Sequence, residues 1–142
     1  MYKYVILVLV GIIILGVMIP LVDALVQEPI TIKHASLVDS LGLRSNFAQL
    51  GQNSTIHSVL VNNLNITQDY RQIVLIQDSA EITVFLSVTS GKLAALSTEE
   101  VSSEPWFLEK PEMHKVKIFV WYSKEPIPLA YKIKSFVVNF NP

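Results

Sequence analysis

The chain has 142 residues, 51% of them apolar and 16% charged, with no cysteine and a formal charge of −1. That length holds one ordinary domain plus an anchor and is too short for a two-domain enzyme. The lack of cysteine excludes disulfides, thiolate metal sites and thiol nucleophiles, and without a basic surplus or a basic run nothing recommends nucleic acid as a partner.

From Tyr4 to Val22 no residue is charged; Lys3 precedes the run and Asp23 follows it. A helix of about 20 residues spans the hydrocarbon layer, so residues 1–24 are expected to form a single transmembrane anchor. The positive-inside rule keeps Lys3 in the cytoplasm and sends everything after Asp23 outside. A cleaved signal peptide makes the same topological statement, with Val22 and Ala24 suited to positions −3 and −1 and Ala24 as the cleavage candidate. Either segment places the rest of the chain outside, at the cell membrane if the helix is retained. Residues 25–30 are expected to be a linker and 31–142 one domain.

Within that domain the apolar period is two rather than 3.6. Thr31–Val38 is a weak strand candidate, Thr55–Val61 a stronger one, and Ile73–Ile76 a central strand because both its faces are apolar. Ile82, Val84 and Leu86 alternate with Glu81, Thr83 and Phe85; Val116, Ile118 and Val120 alternate with Lys115, Lys117 and Phe119. These two apolar sets are expected to face one shared core. Lys92–Val101 is another weak strand, and Tyr131–Val137 the last. Turn formers separate them: Asp39–Gly42, Gly51–Ser54, Asn62-Asn63, Asp78-Ser79, Ser90-Gly91 and Lys124–Pro128. About seven evenly spaced short strands predict an all-β fold, an antiparallel immunoglobulin-like β-sandwich.

The strands also carry words in a fixed order. Val38-Asp39-Ser40 with Gly42, Gly51-Gln52, Asn62-Asn63, Ile73–Asp78, Val84–Ser87, Gly91-Lys92-Leu93, Ile118–Trp121 and Pro126–Leu129 follow one another. The series resembles the small immunoglobulin-like domains of exported and surface proteins of ammonia-oxidising archaea. It departs from them before Ile118, where Ser103–Trp106 and Pro111–His114 replace the usual Ser-Trp-x-Pro and Gly-x-Tyr words. The resemblance implies a fold and a cell-surface setting, and no activity.

No catalytic set is visible in the order of residues, so the chain is expected not to be an enzyme and to need no cofactor or small-molecule substrate. His34, His57 and His114 lack ligand spacing; the metal alternative is a site assembled by His34 and His57 from neighbouring strands. No nucleophile elbow or phosphate loop occurs. Two sequons, Asn53-Ser54-Thr55 and Asn65-Ile66-Thr67, make Asn53 and Asn65 glycosylation candidates in an exported chain.

The last two strands hold the candidate contact face. If Trp121 lies opposite Lys132, then Phe119 meets Lys134 and Lys117 meets Phe136, with Phe140 beyond. Lysine stems would then either cover the rings or frame an apolar band open to a partner. The expected function is a membrane-anchored interaction or surface-structure module, with another protein or a membrane complex as partner. The alternative is an accessory single-span subunit of a larger complex, for which the resemblance suggests an ammonia monooxygenase type.

Overall fold

The computed structural model describes residues 27–130 and 132–141. The expected anchor, and Ala24 with it, lie outside the described residues. Among the described residues ten strands form in chain order: β1 (Ile30–Asp39), β2 (Arg44–Ser45), β3 (Phe47–Gln49), β4 (Asn53–Asn62), β5 (Gln68–Gln77), β6 (Thr83–Leu93), β7 (Thr98–Ser102), β8 (Trp106–Phe107), β9 (His114–Tyr122) and β10 (Lys134–Asn141). The fold is all-β, and among the described residues no helix is long and apolar enough to cross a membrane.

One sheet runs β2-β1-β4-β7, with β8 also on β4; the other runs β3-β10-β9-β5-β6. Alternate residues of β4 (Ile56, Leu60), β5 (Val74, Ile76) and β9 (Val116, Ile118, Val120) are almost fully buried and meet in one core with Leu37, Leu93, Leu108 and Trp106. Period-two alternation thus predicts the inward face of β9 correctly. β5 lies between β9 and β6, the central position its doubly apolar sequence predicts. One pairing breaks the expected antiparallel rule, because β3 lies parallel to β10.

Turn chemistry explains several boundaries. Asp39 Oδ1 accepts from the Leu41 and Leu43 amides at 2.9 and 2.8 Å, and Gly42 takes φ +81°, a conformation open to a residue without Cβ. Asp78 repeats the device, accepting from the Ala80 and Ile82 amides. Ser90-Gly91, expected as a turn, instead lies inside β6. There Gly91 sits under Tyr70, where a Cβ would come within 2.7 Å of the phenol oxygen. Glycine within a strand marks a close approach as often as a turn. The weak Lys92–Val101 candidate is divided by a turn at residues 94–97, leaving its halves in different sheets.

β6 also corrects the expected core. Ile82, Val84 and Leu86 do not join Val116, Ile118 and Val120; they are 62%, 46% and 59% exposed. The ladder sets Phe85 against Ile76 and Ser87 against Val74, so Phe85 and Ser87 occupy the inward side. Ser87 is tolerated there because its hydroxyl accepts from the Glu104 amide at 3.0 Å. The more apolar side of this edge strand consequently faces out.

Candidate interaction face

The outer surface of the β3-β10-β9-β5-β6 sheet is built from residues alternating with its core set. In β5 these include Arg71, Ile73 and Leu75; in β9, Lys117, Phe119 and Trp121; in β6, Leu86 and Val88. The pairings align them in cross-strand rows: Val88–Ile73–Phe119, then Leu86–Leu75–Lys117, with Arg71 opposite Trp121. Ile73, Leu75, Phe119 and Trp121 are half-buried by their neighbours, whereas Leu86 and Val88 are 59% and 52% exposed. A solvated sheet face normally alternates to polar residues, so this is a contiguous apolar band rather than scattered exposure.

The expected lysine–aromatic pairing does not form. Lys134 lies opposite Ile118 and Phe136 opposite Val116, one residue out of step with the expected register. A one-residue slip moves every side chain to the other face. Phe136 therefore packs on the core, and Lys134 shares its side of the strand. Ser135 and Val137 take the outer face beside Lys117 and Lys115. Phe140 pairs with Ala48 of β3 and is 37% exposed, while Lys132 precedes β10 and its amide donates to Glu28 Oε1 at 3.0 Å. Of the expected face residues, Phe119 and Trp121 belong to the band, and Ile73, Leu75, Leu86 and Val88 are added to it. The doubly apolar sequence of β5, together with the one apolar face of β6, was the signal for the additions.

The glycosylation candidates lie at opposite poles. Asn53 is exposed at the start of β4, paired with Phe107. Asn65 is exposed in the loop between β4 and β5.

The opposite sheet carries a polar cluster. His57 and Ser102 are cross-strand partners on β4 and β7. His57 Nδ1 is 2.6 Å from Glu100 Oε1, His57 Nε2 is 3.2 Å from the Ser102 hydroxyl, and Arg44 donates to the same Glu100 oxygen at 2.7 Å. The hydrogen bond from His57, helped by Arg44, holds the Glu100 carboxyl below its usual range. Serine, histidine and carboxylate in series have the connectivity of a nucleophilic relay. Here, however, they lie across a sheet face, and the hollows beside Trp106, Tyr122, Met113 and Pro105 are all lined by other residues. Sequence spacing gave no sign of this cluster, because strand pairing alone assembles it.

His34 is exposed on β1 opposite Val59 and does not join His57. His114 is buried, with Nδ1 2.9 Å from the Glu112 carbonyl and its ring edge-on to Trp106 at 5.0 Å. No group of three or more metal-ligating side chains occurs among the described residues.

No family model matches the chain, and no curated protein matches it in sequence. Solved structures do share its fold. The C-terminal domain of Wzt superposes with TM-score 0.67 at 11% identity, covering 82% of this chain and 75% of that one. A CARDB domain of the PF1109 protein from Pyrococcus furiosus, determined with di-metal ions, gives TM-score 0.56 at 10% identity over 80% and 96% of the two chains. A glycoside hydrolase family 2 β-glucuronidase gives 0.64 at 11% identity, and there the chain spans only 13% of the enzyme. At these identities the likeness is one of fold: the chain is similar to all-β domains that are parts of larger proteins.

Proposed function

We propose that the chain is a non-catalytic, membrane-anchored module of immunoglobulin-like sandwich type that binds a neighbouring protein outside the cytoplasm. The observation that carries this reading is the apolar band Val88–Ile73–Phe119 and Leu86–Leu75 on an outward sheet face. Trp and Phe anchor interfaces, where a single truncation can lower affinity by about 2 kcal/mol or more. The uncharged Tyr4–Val22 run supports the anchor, and the ordered strand words resembling surface domains of ammonia-oxidising archaea support the setting. An accessory role in a larger membrane complex is the form this binding takes if the partner is itself an integral protein.

The test uses the full chain in its native membrane fraction, extracted in mild detergent and separated on native gels. Wild type is expected to migrate in a complex larger than its own mass. Leu86→Lys, a change at an exposed position, is expected to release it without altering its melting temperature. Migration of wild type as a lone subunit, or a complex indifferent to Leu86→Lys and Phe119→Lys, would overturn the reading.

A further inference from the structure

β1 begins, β4 ends, and β5 begins at one pole of the domain, and there the chain enters from residue 27. Buried Asn62 ties this pole together. Its amide donates to the carbonyls of Ile66, Leu93 and Ala94 at 2.8–3.2 Å, and its Oδ1 accepts from the Leu64 amide at 3.0 Å. Loops 63–67 and 94–97 are thereby clamped side by side, with Leu96 N donating to Leu64 O at 2.9 Å. Asn63 binds the entering chain: its side chain donates to the Glu28 carbonyl and the Thr31 hydroxyl, both at 2.8 Å, and its amide donates to Pro29 O. Ile30 N donates to Leu129 O, adding the 123–130 loop to the same assembly.

Each of these three loops turns a large apolar side chain into solvent: Ile66 is 57%, Leu96 69% and Ile127 49% exposed. Leu96 is held out with φ +51°, an uncommon conformation for a residue with Cβ. Lys92, Lys124, Lys132 and Arg71, which donates to the Ser123 carbonyl, stand at this pole against Asp69, Glu28 and Glu125, a balance of +1, and Asp69 itself lies 3.9 and 3.8 Å from Lys92 and Lys124. The pole is therefore nearly neutral with apolar tips. The far pole also exposes leucines, Leu41 and Leu43, so exposure alone does not choose between the ends. The tether does. From Val22, the last residue of the uncharged run, to Gln27, whose side chain donates to the Asn63 carbonyl, the chain can reach at most about 18 Å fully extended.

We infer that this pole rests on the lipid bilayer, with Ile66, Leu96 and Ile127 inserted at the level of the headgroups. Apolar groups at an interface bury about 5–10 Å into the headgroup boundary, a depth that three adjacent loop tips can reach together. Near-neutral charge makes the contact indifferent to salt and independent of anionic lipid. The inference rests on the anchor proposed above.

The cysteine-free chain permits a direct test. Full-length I66C, L96C, I127C and, as an apolar control at the far pole, L41C are labelled with bimane. Each is reconstituted into phosphatidylcholine vesicles with and without nitroxide-labelled phosphatidylcholine. Labels at 66, 96 and 127 are expected to shift to the blue and lose emission to the nitroxide lipid, in low and high salt alike, while the label at 41 does neither. Retention of the protein in alkaline carbonate with all three labels still aqueous overturns the orientation and leaves the anchor standing. Blue-shifted but unquenched labels point to contact between copies and also overturn it. Extraction of the protein by carbonate overturns the anchor and this orientation together.

Discussion

At the scale of single residues, the Glu100 cluster shows how strand pairing imitates a catalytic relay. Its carboxyl, held low by His57 and then Arg44, is ionised in the fold at a pH where the unfolded chain has begun to protonate. The stabilisation it adds is therefore present above its unfolded value and is lost as pH falls through the lowered folded value. Glu100→Gln is expected to flatten the acid limb of a melting-temperature profile below about pH 4.3 and to leave neutral pH little changed; an unaltered acid limb would show that the cluster carries no net charge effect. For the same site, the proposed non-catalytic role predicts that Ser102 remains unlabelled by a fluorophosphonate. Stoichiometric labelling by intact mass would contradict the non-catalytic reading. A second polar feature lies inside: Gln72, fully buried, accepts a short hydrogen bond from Ser58 of the facing sheet, while its Nε2 has no protein partner. A buried amide half-satisfied in this way destabilises relative to an apolar isostere.

At the scale of elements, legibility followed the contrast between the two faces of each strand. β9 alternates sharply, and its inward residues Val116, Ile118 and Val120 were readable without any partner strand, whereas β4 buries Ser54, Ser58 and Asn62 beside Ile56 and Leu60 and turns Val59 and Val61 outward. β10 offers Ile133 and Val137 on one face and Phe136, Val138 and Phe140 on the other, so composition cannot choose. The β9 ladder chooses, and puts Val138 at 1% exposure. β6 misleads more strongly, because its outward face is the more apolar and its inward face is held by Gly91 under Tyr70, Ser87 and Leu93. β2, β3 and β8, of two or three residues, are too short to carry a period. Two substitutions check this account. Val120→Asp, at 0% exposure, buries an unpaired carboxylate, and its penalty of several kcal/mol is comparable with a total stability of about 5–15 kcal/mol. The variant is expected to lose its cooperative melt. Gly91→Ala is expected to destabilise by about 1–3 kcal/mol through overpacking against the Tyr70 ring; urea titration giving an unchanged midpoint would show that Tyr70 simply moves aside.

At the scale of the whole molecule, the two sequons become a pair of height markers. β4 separates Asn53 from Asn65 by its full length, about 30 Å for ten residues. On the proposed orientation Asn65 lies against the headgroups, and a glycan there has no room. Peptide mapping of protein from its native membrane is expected to find Asn65 unmodified, and a glycan at Asn65 would contradict that orientation.

The hydrogen-bonded neck formed by Asn62, Asn63, Glu28 and Pro29 has a further consequence. A module on a long flexible stalk samples a hemisphere, and its binding face meets partners at any tilt. On the proposed anchor, a domain bonded to its own entry segment, with only residues 23–26 left between that segment and the uncharged run, loses most of that freedom. Its strands then stand along the bilayer normal, and the Ile73–Phe119 band looks sideways at a fixed elevation. Recognition becomes a search in two dimensions, in which a partner must present a matching patch at the same height. Lengthening residues 23–26 with glycine and serine would leave every contact of the domain intact and still weaken the complex, because what it removes is alignment.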